Sequence, residues 1–97
     1  MGAPWYDTYR LRGLIQGQRV TTLVDGGTTH NFIDATVVAR KGLQIEEFDG
    51  FTIEVADGYT MTCLDRVLDL EVKLGNYTLT NIVYVVVLLE TDVVLGV

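Results

Sequence analysis

Apolar and polar residues alternate with a period of two through most of this chain, the period of strands with one face covered. Leu11, Gly13 and Ile15 alternate with polar neighbours up to Gly17, and Val20, Thr22 and Val24 lead away from it, as in a hairpin. Phe51, Ile53 and Val55 alternate, Asp57-Gly58 supplies a two-residue turn signal, and Tyr59, Met61 and Cys63 follow with the same period. Leu68, Leu70, Val72 and Leu74 carry the pattern to a further turn signal at Gly75-Asn76, after which Tyr77 and Leu79 open another strand. From Ile82 to Leu89 the alternation gives way to an unbroken apolar run, which predicts a strand covered on both faces. Val93-Val94-Leu95 makes a last short apolar run.

One segment departs from this period. Asp34 to Gly42 carries an N-cap candidate, a stop glycine, and Arg40 and Lys41 where a helix C-terminus favours cations. Its β-branched residues limit it to a helix of one or two turns. Residues 1–7 show no periodicity and are expected to form a flexible tail, with residues 8–97 as one domain. The pattern predicts a small all-β domain of hairpins with one short helix.

Composition narrows the function classes. Of 97 residues, 48% are hydrophobic, enough for a folded chain with a modest core. The net charge is −6 and the seven basic residues form no cluster. Direct nucleic-acid binding needs a positive track for phosphates, so it is not expected, and neither is an anionic membrane surface. The longest apolar run is too short to cross a bilayer. Met1 to Tyr6 lack the apolar stretch of a secretory signal, and Cys63, the lone cysteine, permits no intrachain disulfide. Both point to a cytoplasmic setting, with Cys63 as a small core hydrophobe.

The candidate chemistry lies at Val24-Asp25-Gly26-Gly27-Thr28-Thr29-His30-Asn31-Phe32-Ile33. A branched apolar run delivers one carboxylate onto two glycines, which permit close approaches that a β-carbon forbids. Locally, Asp-Gly reads as a hairpin turn or as an acid presented at a strand end for catalysis. Thr28 and Thr29 are expected to order this loop through hydrogen bonds to its backbone. His30, the only histidine, has no Cys or carboxylate at ligand spacing, so it is expected to shape the loop and no metal is expected. Asp57 reads as a turn former, Asp92 as structural, and Glu46, Glu47 and Asp49 as a solvated acidic run.

Three features fall in order: Leu23-Val24-Asp25-Gly26-Gly27, the hairpin from Gly50 to Cys63 centred on Asp57-Gly58, and Asp92-Val93-Val94-Leu95-Gly96. This order resembles the retropepsin-like aspartic proteases, specifically those of gypsy-type long-terminal-repeat retrotransposon polyproteins. There a strand enters an Asp-Ser/Thr-Gly loop, often followed by His-Asn-Phe-Ile, then a flap hairpin, then a branched apolar pair and Gly. The resemblance covers Leu11 to Val97. It implies a small retropepsin-like β-barrel that is half of a two-fold symmetric active site, with no cofactor.

In such a homodimer each chain supplies one catalytic aspartate, here Asp25. Two carboxylates about 3 Å apart cannot both ionise easily and share a proton, so one accepts a proton from water while the other donates to the scissile carbonyl. By the same resemblance Gly26, Gly27 and Thr28 form the active-site loop, and Ala56, Asp57, Gly58 and Tyr59 form the tip of a flap over an extended polypeptide substrate. Val93, Val94 and Gly96 pack behind the loop, with Val94 at a subsite. Two departures stand out: Gly26 replaces the usual Ser or Thr, whose hydroxyl bonds across the dimer axis, and the sequence stops at Val97, before the family's C-terminal helix and strand. The second is expected to leave apolar surface around Val93 to Val97.

The implied function is an aspartic endopeptidase that processes a retrotransposon polyprotein. The alternative is a catalytically weak or inactive module of the same fold for dimerisation or peptide binding, and a third reading is an unrelated small β-barrel binder.

Overall fold

A computed structural model describes residues 8–54 and 60–96. The expected tail at 1–7 and the expected flap tip at Ala56, Asp57, Gly58 and Tyr59 lie outside the described residues. The elements are β1 (Thr8–Ile15), β2 (Gln18–Asp25), β3 (Phe32–Asp34), α1 (Ala35–Lys41), β4 (Glu46–Glu54), β5 (Thr60–Leu74), β6 (Tyr77–Val86) and β7 (Val93–Gly96). The strands form one sheet in the order β1-β2-β7-β3-β6-β5-β4, and Leu14 of β1 also pairs with Lys73 of β5, so the sheet curls back on itself. The chain is all-β with one short helix, as its periodicity predicts.

The turn signals set the registers. Ile15 pairs with Gln18, leaving Gln16 (φ 55°) and Gly17 (φ 76°) as a two-residue turn whose central residues are both left-handed, the twist a tight hairpin requires. Leu74 pairs with Tyr77 around Gly75-Asn76. The arms of the hairpin predicted between Gly50 and Cys63 pair Phe51 with Cys63 and Ile53 with Met61.

Two expectations about facing fail, for one physical reason each. Leu68 points outward, at 42% exposure, although Leu70 and Val72 are buried. The register of β5 against β6 shifts between Val67 and Leu70, where Asp69 takes φ 53°. This bulge moves the buried phase from Cys63 and Val67 to Leu70 and Val72. The run from Ile82 to Leu89 is not covered on both faces. Val83 and Val86 are buried, but β6 ends at Val86, and Val87 and Leu89 stand out in solvent. Val83 and Val86 are three apart, on opposite faces, so cover on both sides is reached only near the end of β6 and not along the run.

Helix α1 buries Val37 and Val38 and ends at Gly42, left-handed at φ 62°. Asp34 sits at the N-cap position but does not cap the helix with its side chain. Its Oδ1 accepts the Leu88 N–H at 2.8 Å and fastens the segment after β6. The core gathers Ile15, Ile33, Val72, Val83, Val93 and Leu95. Cys63 is buried as expected. Val93, Val94 and Leu95 are buried too, contrary to the expectation of exposed apolar surface there, because β7 lies inside the sheet between β2 and β3. No helix among the described residues is long and apolar enough to cross a membrane.

Candidate active site

Strand β2 runs parallel to β7 with Thr22 opposite Val93 and Asp25 opposite Gly96. Strand β3 flanks β7 on its other side, with Phe32 opposite Val94 and Ile33 opposite Val93. The loop 26–31 therefore crosses over the end of β7, and Asp25 stands where β2 enters it. Asp25 is half-buried, and its own loop fixes both carboxylate oxygens. Oδ1 accepts the Gly27 N–H at 2.8 Å, and Oδ2 accepts the Thr28 hydroxyl at 3.2 Å. The Asp25 carbonyl accepts the Thr28 N–H at 3.4 Å. The Thr28 side chain thus bonds the carboxylate and not the loop backbone, a correction to the expectation. The Thr29 hydroxyl meets His30 Nδ1 at 3.1 Å, again not the backbone.

Behind the loop, Gly96 donates its N–H to Asn31 Oδ1 at 2.9 Å. A β-carbon on Gly96 would collide with the carbonyl oxygen of Thr28 and lie 2.9 Å from that of His30. Only glycine lets β7 come this close. Asn31 also donates its side-chain N–H to the Ile82 carbonyl at 3.4 Å and accepts the Tyr84 N–H on its own carbonyl at 2.9 Å. Sequence reasoning placed Asn31 inside a motif and gave it no role. The signal available was a polar side chain with both a donor and an acceptor, set between two strands whose ends leave backbone groups open.

Asp92 lies elsewhere. It pairs with the middle of β2, where Oδ2 accepts the Thr21 N–H at 2.8 Å and its own N–H donates to the Thr21 carbonyl at 3.0 Å. Its carbonyl accepts the Asp34 N–H at 2.9 Å. Four strand residues, about 13 Å, separate Thr21 from Asp25. Asp92 clips β2 to β3 and is no partner for the Asp25 carboxylate.

On the other side of the loop an aromatic cluster collects. The His30 ring stacks on Phe51 with centroids 5.0 Å apart at 29°, and meets the Tyr84 ring edge-on at 5.6 Å. Phe48 joins Phe51 at 5.9 Å and Tyr84 at 5.5 Å. The Arg66 guanidinium lies 4.9 Å over Phe48, and its Nε donates to Glu46 Oε1 at 2.6 Å. The Glu46 carboxylate pushes the Arg66 pKa above its ordinary value, so Glu46 is an ion-pair partner and not simply a solvated acid. His30 is bounded by the Phe32, Phe51 and Tyr84 rings. Beside the strand that carries Asp25, an open cavity of about 620 Å³ is lined by Leu11, Val24, Leu79, Leu95 and Gly96 among others.

A family model described as "gag-polyprotein putative aspartyl protease" matches residues 11–97. The chain belongs to this family. Two solved structures share the retropepsin-like fold of this aspartyl protease-family chain. The retroviral protease-like domain of Ddi1 from Leishmania major is similar with a TM-score of 0.69 at 20% identity, over 90% of this chain and 70% of that one. Protein Lpg0085 (DUF785), of unknown function, from Legionella pneumophila subsp. pneumophila str. Philadelphia 1 follows at a TM-score of 0.57 and 19% identity, over 92% of this chain and 81% of that one. No curated protein matches this aspartyl protease-family chain closely enough to count as a relative. In this family member Asp25 presents one carboxylate at the end of β2, held by the Gly27 N–H and the Thr28 hydroxyl.

Proposed function

We propose that this chain is an aspartic endopeptidase acting as a homodimer, in which Asp25 of each copy supplies half of a carboxylate pair. The observation that carries this reading is the Asp25 carboxylate itself, its oxygens held by the Gly27 N–H and the Thr28 hydroxyl at the mouth of the loop. One carboxylate cannot serve at once as base and acid, so a second copy must complete the pair. The ionised member takes a proton from water as the oxygen attacks the scissile carbonyl carbon, and the protonated member gives its proton to the carbonyl oxygen. As the tetrahedral adduct collapses and the C–N bond breaks, the carboxyl that took the water's proton passes it to the leaving nitrogen, the other carboxylate takes a hydroxyl proton from the adduct, and the pair again shares one proton. The two titrations belong to the pair and not to either residue.

In this reading Gly26, Gly27 and Thr28 shape the active-site loop, and Val93, Val94 and Gly96 support it from behind. Residues 8–97 act as one domain. The arms β4 and β5 carry a flap tip at Ala56, Asp57, Gly58 and Tyr59 over an extended polypeptide, which binds as an added strand through main-chain hydrogen bonds. The substrate class is a retrotransposon polyprotein, and the setting is cytoplasmic. A second reading, a peptide-binding or dimerisation module of the same fold with little or no catalysis, is favoured by Gly26, where no hydroxyl is available to lock the two loops together.

The test is cleavage of an unfolded protein substrate near pH 5, at protein concentrations that favour dimers, with Asp25→Asn beside the wild type. Cleavage that vanishes in Asp25→Asn supports the peptidase. A folded wild type that cleaves nothing from pH 3 to 8 overturns it in favour of the module.

A further inference from the structure

Strand β4 has a peculiar position. It is the last strand in the sheet order, pairs with β5 alone among the described strands, and stands five places from β2. Yet the curl of the sheet brings it against the loop that follows Asp25, and there the contact is made by rings. His30, on the loop, stacks on Phe51 of β4, and both meet Tyr84 of β6, Phe51 at 4.9 Å and 86°.

This meeting is built into the backbone of β4. Glu47 pairs with Asp65 and Phe51 with Cys63, so four steps along β4 match two along β5. Phe48 and Phe51, three residues apart, would point to opposite faces of a regular strand. The irregularity brings their rings within 5.9 Å of each other. It is secured by Gly50 at φ 86°, where a β-carbon would lie 2.6 Å from Leu64 Cδ2 and 2.8 Å from the Cys63 carbonyl oxygen. The hydrogen bonds of the loop, by contrast, run to β6 and β7 through Asn31. His30 itself is exposed, so burial of its ring is no explanation for where it lies.

We infer that His30 is a positioning residue that sets the distance between the Asp25 loop and the β4 arm, and with it the width of the peptide channel. This rests on the peptidase reading. The His30 ring and Phe51 form a stacked pair that joins the Phe48 and Phe51 contacts with Tyr84 in fixing a strand whose backbone pairs with β5 alone among the described strands. Glu46–Arg66, packed over Phe48, buttresses the far end of the same cluster.

The experiment is amide hydrogen exchange of the free protein, resolved over 48–54 and 60–63, for wild type, His30→Ala, His30→Phe and Phe51→Leu. A stacked aromatic pair corresponds to about a two- to tenfold change in a local opening equilibrium. His30→Ala and Phe51→Leu are expected to speed exchange in β4 by that factor and to leave the β1–β2 hairpin unchanged. His30→Phe, which keeps a ring without the imidazole, restores it. Unchanged β4 exchange in both truncations, or failure of His30→Phe to restore it, overturns the inference. In the cleavage assay His30→Ala raises KM by a similar factor with little change in kcat; altered exchange with unaltered KM also overturns the positioning role. Asp25→Asn keeps wild-type exchange while losing cleavage, which separates failure of this inference from failure of the peptidase reading.

Discussion

The side-chain oxygen of Asn31 accepts the Gly96 N–H at 2.9 Å and joins the loop after Asp25 to the last strand. The two residues are 65 apart in sequence, so the loop after Asp25 takes its shape from a strand remote along the chain. Truncation in Asn31→Ala leaves the half-buried Gly96 donor and the Ile82 carbonyl without this partner. Unsatisfied groups of this kind cost about 1–3 kcal/mol. Urea unfolding is expected to show that loss, and cleavage is expected to fall further than stability alone explains, because the loop that orients Asp25 is freed. Cleavage that tracks only the folded fraction argues that the loop holds its shape without Asn31.

Gly96→Ala tests the same junction from the other side. The added β-carbon meets two carbonyl oxygens of the loop, those of Thr28 and His30, and neither belongs to a flexible side chain. Overpacking of this kind costs about 1–3 kcal/mol, and here the strain falls on the peptide that carries Thr28, whose hydroxyl bonds Asp25. The variant should melt earlier than wild type and lose the Asp25-dependent cleavage. A variant with wild-type melting temperature and activity would mean that β7 yields without cost.

Much of this arrangement was legible in the sequence, and the gaps share a cause. Gly17 and Gly75-Asn76 mark their turns through local backbone preference, and the alternation around Ile15, Val20 and Val72 marks the buried face. Asp25-Gly26-Gly27 and the closing Val93-Val94-Leu95-Gly96 were visible as a family pattern. The Asp69 bulge was not, because a single left-handed Asp leaves only a shift in phase between Cys63 and Leu68 to betray it. The ring cluster was equally hidden: Phe48 and Phe51 have the wrong spacing for one face of a strand until the bulge at Gly50 is known. Asn31 bonds two strands remote in sequence, and no periodicity records a partner 65 residues away.

Gly26 bears on assembly. In the retropepsins that this chain resembles, a hydroxyl at this position bonds across the dimer axis, and the chain has none to offer. Gly26→Thr is expected to add two such bonds per dimer at about 1 kcal/mol each, tightening the dimer roughly 30-fold. Sedimentation equilibrium measures that constant directly, and cleavage at low protein concentration should rise with it. A dimer constant that does not move would show that the loops do not meet across an axis in the expected way.

Cys63 gives a pH dependence whose sign follows from its surroundings. The thiol is buried, which pushes its pKa up, while the Asp65 and Val85 carbonyls, each 3.4 Å from Sγ, accept from the S–H. The folded state therefore holds this proton more tightly than the unfolded chain, whose thiol titrates near about 8.5. Between those two pKa values the unfolded state binds fewer protons than the native one, so stability falls as pH rises. The stabilisation is fully present below about pH 8.5 and is lost progressively as the pH climbs toward the raised native value. Tyrosine and lysine titrations act in the same alkaline range, so the useful quantity is a difference. The stability of wild type relative to Cys63→Ala, from urea midpoints at pH 7 to 10, should hold constant to about pH 8 and then shrink. Parallel curves for the two proteins would mean that the thiol ionises as freely in the fold as out of it, and that its burial is not what the packing of β5 against β6 implies.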